Sequence, residues 1–146
     1  MTFPAAGRVV GVDHGSARIG LAVCDAARTV ASPLATHPRT TNARDAVFFA
    51  KLAEAEQVAG FVVGLPRLLD GTEGEQAKKC RAFGAWLAGV TGKPVAFWDE
   101  RWTTAAAEDA LLAAGLTDKQ RKARRDRLAA QLILEAFLAA GCPAGG

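Results

Sequence analysis

A mixed five-stranded α/β sheet with helices on its faces is the fold this sequence predicts, and three observations predict it. The chain opens with three short apolar, β-branched runs joined by short polar connections. A strand–helix alternation follows, and two helical stretches close the chain. Three meandering strands followed by β-α units require a mixed sheet, antiparallel at first and then parallel. The expected order is β-β-β-α-β-α-β-α-α.

Residues 8–13 form the first expected strand, rich in valine and stopped by Gly15. Residues 18–25 and 29–36 are the next two, and the polar connections at 14–17 and 25–28 suit antiparallel hairpins. Residues 42–56 read as a helix that Asn42 can cap, with Ala46, Phe49, Ala50 and Ala53 on one face. Residues 59–63 are a continuous apolar run before Gly64-Leu65-Pro66, which suits a strand buried on both faces. A second helix is expected over 72–90, capped by Thr72, with Glu73 and Glu75 where the helix dipole favours anions. Gly92 and Pro94 precede a fifth strand at 95–99. A helix opening at Thr103 or Thr104 should run to about Ala114 and stop at Gly115. The last helix spans 118–140, and 141–146 should be a loose tail.

The 146 residues suit one compact domain, ordered over about 8–140, and half of them are apolar, enough for a core without staples. Cys24, Cys80 and Cys142 are widely spaced and contain no C-x-x-C pair, which argues against a disulfide framework or a zinc site and for a reducing compartment. Residues 1–7 lack the basic and apolar regions of a secretory leader, and no apolar run approaches the roughly 20 residues that span a bilayer. A cytoplasmic protein without a membrane partner is expected. The net charge of +3 is mild, but its distribution is uneven. Lys119, Arg121, Lys122, Arg124, Arg125 and Arg127 crowd one short stretch. Such a stripe is either a phosphate footprint or a solvated helix face.

An open sheet of this kind places its ligand outside the carboxyl ends of its parallel strands. Asp13 ends the first strand on the face of Val9 and Gly11; Glu100 ends the fifth on the face of Ala96 and Trp98. Asp126 is the more informative acid. On a helical period it shares the packing face of Ala129, Ala130, Ile133 and Phe137. A carboxylate on an apolar face must be paired, hydrogen-bonded or bound to a metal. Three carboxylates at one sheet edge suit Mg²⁺ or Mn²⁺ and metal-dependent phosphodiester cleavage. Arg18 and Arg101 adjoin these acids and either hold the scissile phosphate or balance the negative charge. Asp99 points to the opposite face from Glu100 and is read as structural. Trp98 lies within a strand and reads as core, which leaves Trp102 as the better stacking candidate. His14 and His37 form no catalytic or metal pattern.

Beside this reading stands a resemblance. Gly11-Val12-Asp13-His14-Gly15-Ser16-Ala17-Arg18-Ile19-Gly20-Leu21-Ala22 resembles the opening signature of the YqgF, or RuvX, family of pre-16S rRNA nucleases and Holliday-junction-resolvase-like proteins. Three further segments match in order: Val63-Gly64-Leu65-Pro66 with Asp70-Gly71-Thr72-Glu73-Gly74; Asp99-Glu100-Arg101-Trp102-Thr103-Thr104 with Ala107-Glu108; and Asp126 with Ala129-Ala130 and Ile133-Leu134. The resemblance implies a ribonuclease H-like fold, a cytoplasmic nuclease and a role in maturing the 5′ end of 16S rRNA. It carries the acidic site onto Asp13, Glu100 and Asp126. His14 departs from the residue often found at its position and leaves the acids intact.

Other readings stay open. Branched DNA is an alternative substrate to pre-rRNA, and the chain is either a monomer or the two-fold homodimer that a junction resolvase needs. A nucleic-acid-binding factor without catalysis would fit the basic stripe equally well, but gives no reason for three acids near phosphates. An actin-like ATPase or sugar kinase shares a strand ending in Gly-x-Asp-x-Gly, yet needs two such domains and a longer chain.

Overall fold

The computed structural model describes residues 3–100 and 117–143. The elements are β1 (Arg8–His14), β2 (Arg18–Cys24), β3 (Ala31–Pro38), α1 (Asn42–Ala55), β4 (Val58–Leu65), α2 (Glu75–Thr91), β5 (Val95–Asp99) and α3 (Asp118–Ala139). The sheet order is β3-β2-β1-β4-β5. Strands β1, β2 and β3 pair antiparallel, whereas β4 runs parallel to β1 and to β5. This is the mixed sheet the sequence predicts. The helix expected to open at Thr103 or Thr104 lies outside the described residues.

Alternation along each strand sorts side chains onto two faces. Val10, Val12, Ile19, Leu21, Phe61 and Val63 pack with Phe49 of α1 and Phe83 and Leu87 of α2. Val9, Ala22, Val62 and Ala96 pack with Ala130, Ile133, Leu134 and Phe137 of α3. Because β4 is covered on both faces, both of its alternating sets are apolar. Each fully buried ring, such as Phe49, Phe61 and Phe137, contributes about 1.5–3 kcal/mol by leaving water.

Glycines decide how closely α3 approaches. Gly11 and Gly20 lie on the α3 face of β1 and β2. A Cβ at Gly11 would come within 2.7 Å of the Ala130 carbonyl oxygen, and one at Gly20 would collide with the Asp126 backbone carbonyl. The helix backbone therefore rests directly on the sheet at these two points. Gly20 is also the β2 partner of Asp13, so the contact seats Asp126 beside Asp13.

Several boundaries differ from expectation, each for a local reason. Helix α1 is capped by Thr41, whose hydroxyl accepts from the Arg44 backbone N–H at 3.2 Å, and Asn42 is its first helical residue. Its buried face holds Asp45, Phe49 and Ala53, while Ala50 is exposed. Helix α2 starts at Glu75 rather than Thr72 because Thr72 is taken by Asp70, whose carboxylate accepts its backbone N–H at 3.0 Å and its hydroxyl at 2.7 Å. Strand β3 starts at Ala31 because the Asp25 carboxylate holds Thr29 and Val30 in the preceding turn. Helix α3 begins in a capping box between Thr117 and Gln120. It ends where Gly141, at φ 85°, and Cys142 donate their N–H groups to Leu138 and Phe137. The first two residues of the expected loose tail are thus tied to the helix.

Candidate active site

Strands β1 and β5 run in the same direction, each parallel to β4, and they end at one edge of the sheet. Asp13 is the next-to-last residue of β1. Glu100 directly follows β5, and its backbone N–H donates to the Leu65 carbonyl at 3.3 Å, which extends the pairing onto β4. Period two places both acids on the α3 face. A Cβ at Gly64 would collide with the Glu100 carboxylate, so the bare backbone of β4 supplies the space which that carboxylate occupies. Asp126 reaches the same edge from the first half of α3.

The electrostatics follow from this crowding. Burial, then the charge of Asp126, pushes Asp13 from 3.8 up to about 6. Burial, then the charges of Asp13 and Asp99, pushes Glu100 from 4.5 up to about 7. Asp13 therefore lies in the field of both other acids. No hydrogen bond or ion pair reaches its carboxylate among the described residues. Asp126 is compensated instead: Arg18 at the start of β2 donates from Nε to its Oδ2 at 2.6 Å. Of the two roles open to Arg18, this geometry is that of the balancing cation.

The donor set is hard oxygen, and a half-buried carboxylate beside another acid, with no hydrogen-bond partner among the described residues, is relieved either by a proton or by a cation. On that chemistry the residues fit a divalent metal. Among the described residues, no group of three His, Cys, Asp or Glu side chains converges closely enough to hold an ion, and Arg18 engages one oxygen of Asp126.

Arg101 and Trp102 lie outside the described residues, as do the side chains of Lys119, Arg121 and Lys122. Arg124 is exposed and Arg125 half-buried on the first half of α3. Trp98 packs edge-on to Phe137, with ring centroids 6.2 Å apart, and belongs to the core.

Sequence reasoning missed two features. His37 is no bystander: it meets the buried Asp45 at 2.9 Å, and Thr40 adds its backbone N–H and hydroxyl to the same carboxylate. Burial works against ionisation there, but these hydrogen bonds and the His37 charge outweigh it and hold Asp45 below its ordinary value. His14 turns to the α2 face, where Cys80 Sγ lies 3.8 Å from Nδ1 and Arg39 Nη1 lies 3.3 Å from Nε2. Burial, then Arg39 and Lys79, lowers its pKa to about 4, so the ring is neutral. Cys80 is pushed to about 12 by burial and by Glu100 and Asp13, and is an inert thiol.

A mixed sheet with three antiparallel strands and parallel β-α units in the order β3-β2-β1-β4-β5 is a ribonuclease H-like fold. The fold matches Thermus thermophilus RuvC in complex with a Holliday junction, at TM-score 0.60 and 19% identity over 95% of this chain and 98% of that one. The yeast mitochondrial Holliday junction resolvase matches at TM-score 0.55 and 11% identity, over 97% of this chain and 81% of that one.

The family model described as RuvX: Holliday junction resolvase matches residues 7–140, and the chain belongs to that family. A Rhodopirellula baltica protein, provisionally named pre-16S rRNA nuclease, is 47% identical over 94% of this chain and 80% of its own length. A Paracoccus denitrificans protein of the same name is 44% identical over 93% and 86%.

Proposed function

We propose that this chain is a divalent-metal-dependent nuclease that matures the 5′ end of pre-16S rRNA in the cytoplasm, with Asp13, Glu100 and Asp126 as its catalytic acids. The observation that carries this reading is the half-buried Asp13 carboxylate, electrostatically coupled to Asp126 and Glu100 and without a hydrogen-bond partner among the described residues. The family membership and the names of the relatives supply the substrate class.

Asp13 and Glu100 would hold Mg²⁺ or Mn²⁺, with Asp126 contributing the oxygen that Arg18 does not engage. The bound ion supplies a more acidic water and charge neutralisation at the phosphate. Arg18 fixes the rotamer of Asp126 and offsets part of the acid cluster's repulsion of a polyanion. Buried Val9, Val62 and Ala96 beneath the acids exclude water from their inner side. Lys119, Arg121, Lys122, Arg124 and Arg125 lie along the same helix as Asp126 and meet the phosphates flanking the scissile one. Arg101, next to Glu100 in sequence, is assigned to the same task.

The test incubates the protein with single-stranded RNA, a pre-16S 5′-leader fragment and a four-way DNA junction, each with Mg²⁺, Mn²⁺ or EDTA. Cleavage of the leader that needs metal and is lost in Asp13→Asn is the expected result. The family description favours one second reading, cleavage of branched DNA by a homodimer, and preference for the junction would select it. Binding without cleavage of any substrate would overturn catalysis and leave an RNA-binding assembly factor.

A further inference from the structure

On the face of the sheet opposite α3, a cleft of about 310 Å³ opens between α1, α2 and the end of β1. That volume is at the small end of ligand-binding cavities, which begin at about 300 Å³. Its walls belong to no role assigned above. Lys79, Phe83 and Trp86 come from one face of α2, spaced by four and three residues. Asn42 opens α1, and Arg39 lies between β3 and that helix. His14 is the last residue of β1, immediately after Asp13. The cleft and the acids therefore share one edge of the sheet and lie on opposite sides of it.

The chemistry of this cleft is that of a nucleotide. Its base is aromatic: the His14 ring sits 4.5 Å from Phe83, and Phe83 sits 5.6 Å from Trp86, both pairs tilted. Its rim is cationic. Arg39 is fixed over the β1–β2 turn, its backbone N–H donating to Ala17 at 3.0 Å and its Nη1 lying 3.3 Å from His14 Nε2. Among the described residues neither Arg39 nor Lys79 has a carboxylate partner, and both are exposed. The Asp45 carboxylate also borders the cleft, but it is committed to His37 and Thr40. Guanidinium and ammonium groups beside aromatic rings suit a phosphate joined to a base.

We infer that this cleft is a strand-holding subsite, taking one nucleotide of a single-stranded substrate with its base on Trp86 and His14 and its phosphate on Arg39 and Lys79. It rests on the nuclease reading only for why the strand is there. A strand crossing the edge of the sheet would place this nucleotide a short distance along the chain from the one held by the acids. Sequence is not read by such a contact, because every base offers a stacking face.

The test measures binding of a labelled single-stranded RNA in EDTA, where no cleavage occurs, for wild type and Arg39→Gln/Lys79→Gln. Both side chains are exposed, and a thermal melt confirms that the variant is folded. The expected result is an affinity about tenfold lower and a log K against log salt slope shallower by about 1.4, two lost phosphate contacts at about 0.7 each. A fully abasic strand of the same length should bind the wild type more weakly with an unchanged salt slope, because the stacked base is lost and the phosphate contacts remain. Equal affinity and equal slope in the two proteins would overturn the subsite. The two readings fail separately. A wild type that cleaves nothing while the variant still loses affinity leaves the subsite standing and removes the nuclease. A wild type that cleaves, beside a variant with unchanged KM, does the reverse.

Discussion

Asp126 is held by one short contact, and the consequences of that contact can be separated from mere folding. The Arg18 Nε donates to it at 2.6 Å, with the Asp126 side chain 15% exposed and that of Arg18 40%. An ion pair this open contributes little to stability, about 1 kcal/mol or less. Its effect on Asp13 is larger, because an uncompensated Asp126 repels Asp13 more strongly and raises its pKa further. Arg18→Gln should therefore lower cleavage about tenfold, as loss of a positioning partner around a metal site does. It should also move the acid limb of the pH–rate profile upward. Arg18→Lys, which keeps the charge but not the fork, should restore the position of that limb and only part of the rate. A purely structural arginine would lower the melting temperature and leave the pH profile where it was.

At the scale of elements, α3 and the strands beneath it are coupled through glycine. Gly20→Ala places a methyl group against the Asp126 carbonyl, a backbone atom that cannot rotate aside. The helix must lift, so unfolding should become easier by about 1–3 kcal/mol, and cleavage should fall as Asp126 leaves Asp13. Gly89→Ala in α2 is the opposite case: nothing lies within 4 Å of the added methyl. It should stabilise the protein by about 0.5–1 kcal/mol through helix propensity alone. Chemical denaturation of both variants checks the pair. The contrast also marks how far the sequence could be read. Strand β5 was legible because an apolar segment between Pro94 and an acidic end admits few alternatives. Asp126 was legible because a carboxylate amid Ala129, Ala130, Ile133 and Phe137 breaks the pattern of its own helix. Gly20 was not, because its meaning depends on the β1–β2 register and on a helix whose Asp126 lies more than a hundred residues further along the chain. The Arg18–Asp126 contact has a sequence separation of 108 for the same reason. Asp45 was missed because a buried acid in the first turn of a helix looks like an ordinary dipole partner until His37 is seen beneath it.

For the whole molecule, the acidic edge and the stability of the fold oppose each other. Asp13 titrates near 6 when folded against an ordinary 3.8, and Glu100 near 7 against 4.5. Between roughly pH 4 and 7 the folded chain holds protons that the unfolded chain has released, so stability falls as pH rises through that window. Asp25 acts in the opposite sense: the Thr29 hydrogen bond, then that of Val30, lowers it to about 2, and its contribution is lost as pH falls toward that value. The metal-free protein should therefore be most stable in mild acid. Replacing Asp13 by Asn removes a carboxylate whose ionisation is opposed first by burial and then by the charge of Asp126. In EDTA near pH 8, Asp13→Asn should be more stable than wild type by about 2 kcal/mol, a rise of several degrees in melting temperature. That advantage should shrink as pH is lowered through about 6 to 4 and vanish below about pH 3, where the wild-type carboxyl is protonated in both states. Adding Mg²⁺ near pH 8 should raise the wild-type melting temperature more than that of the variant, because the cation neutralises a repulsion the variant no longer has. Scanning calorimetry across pH, with and without the ion, reads all three effects. A variant less stable than wild type near pH 8 in EDTA would mean that Asp13 holds the sheet edge together, and that the chain does not keep its acids there at a cost in stability.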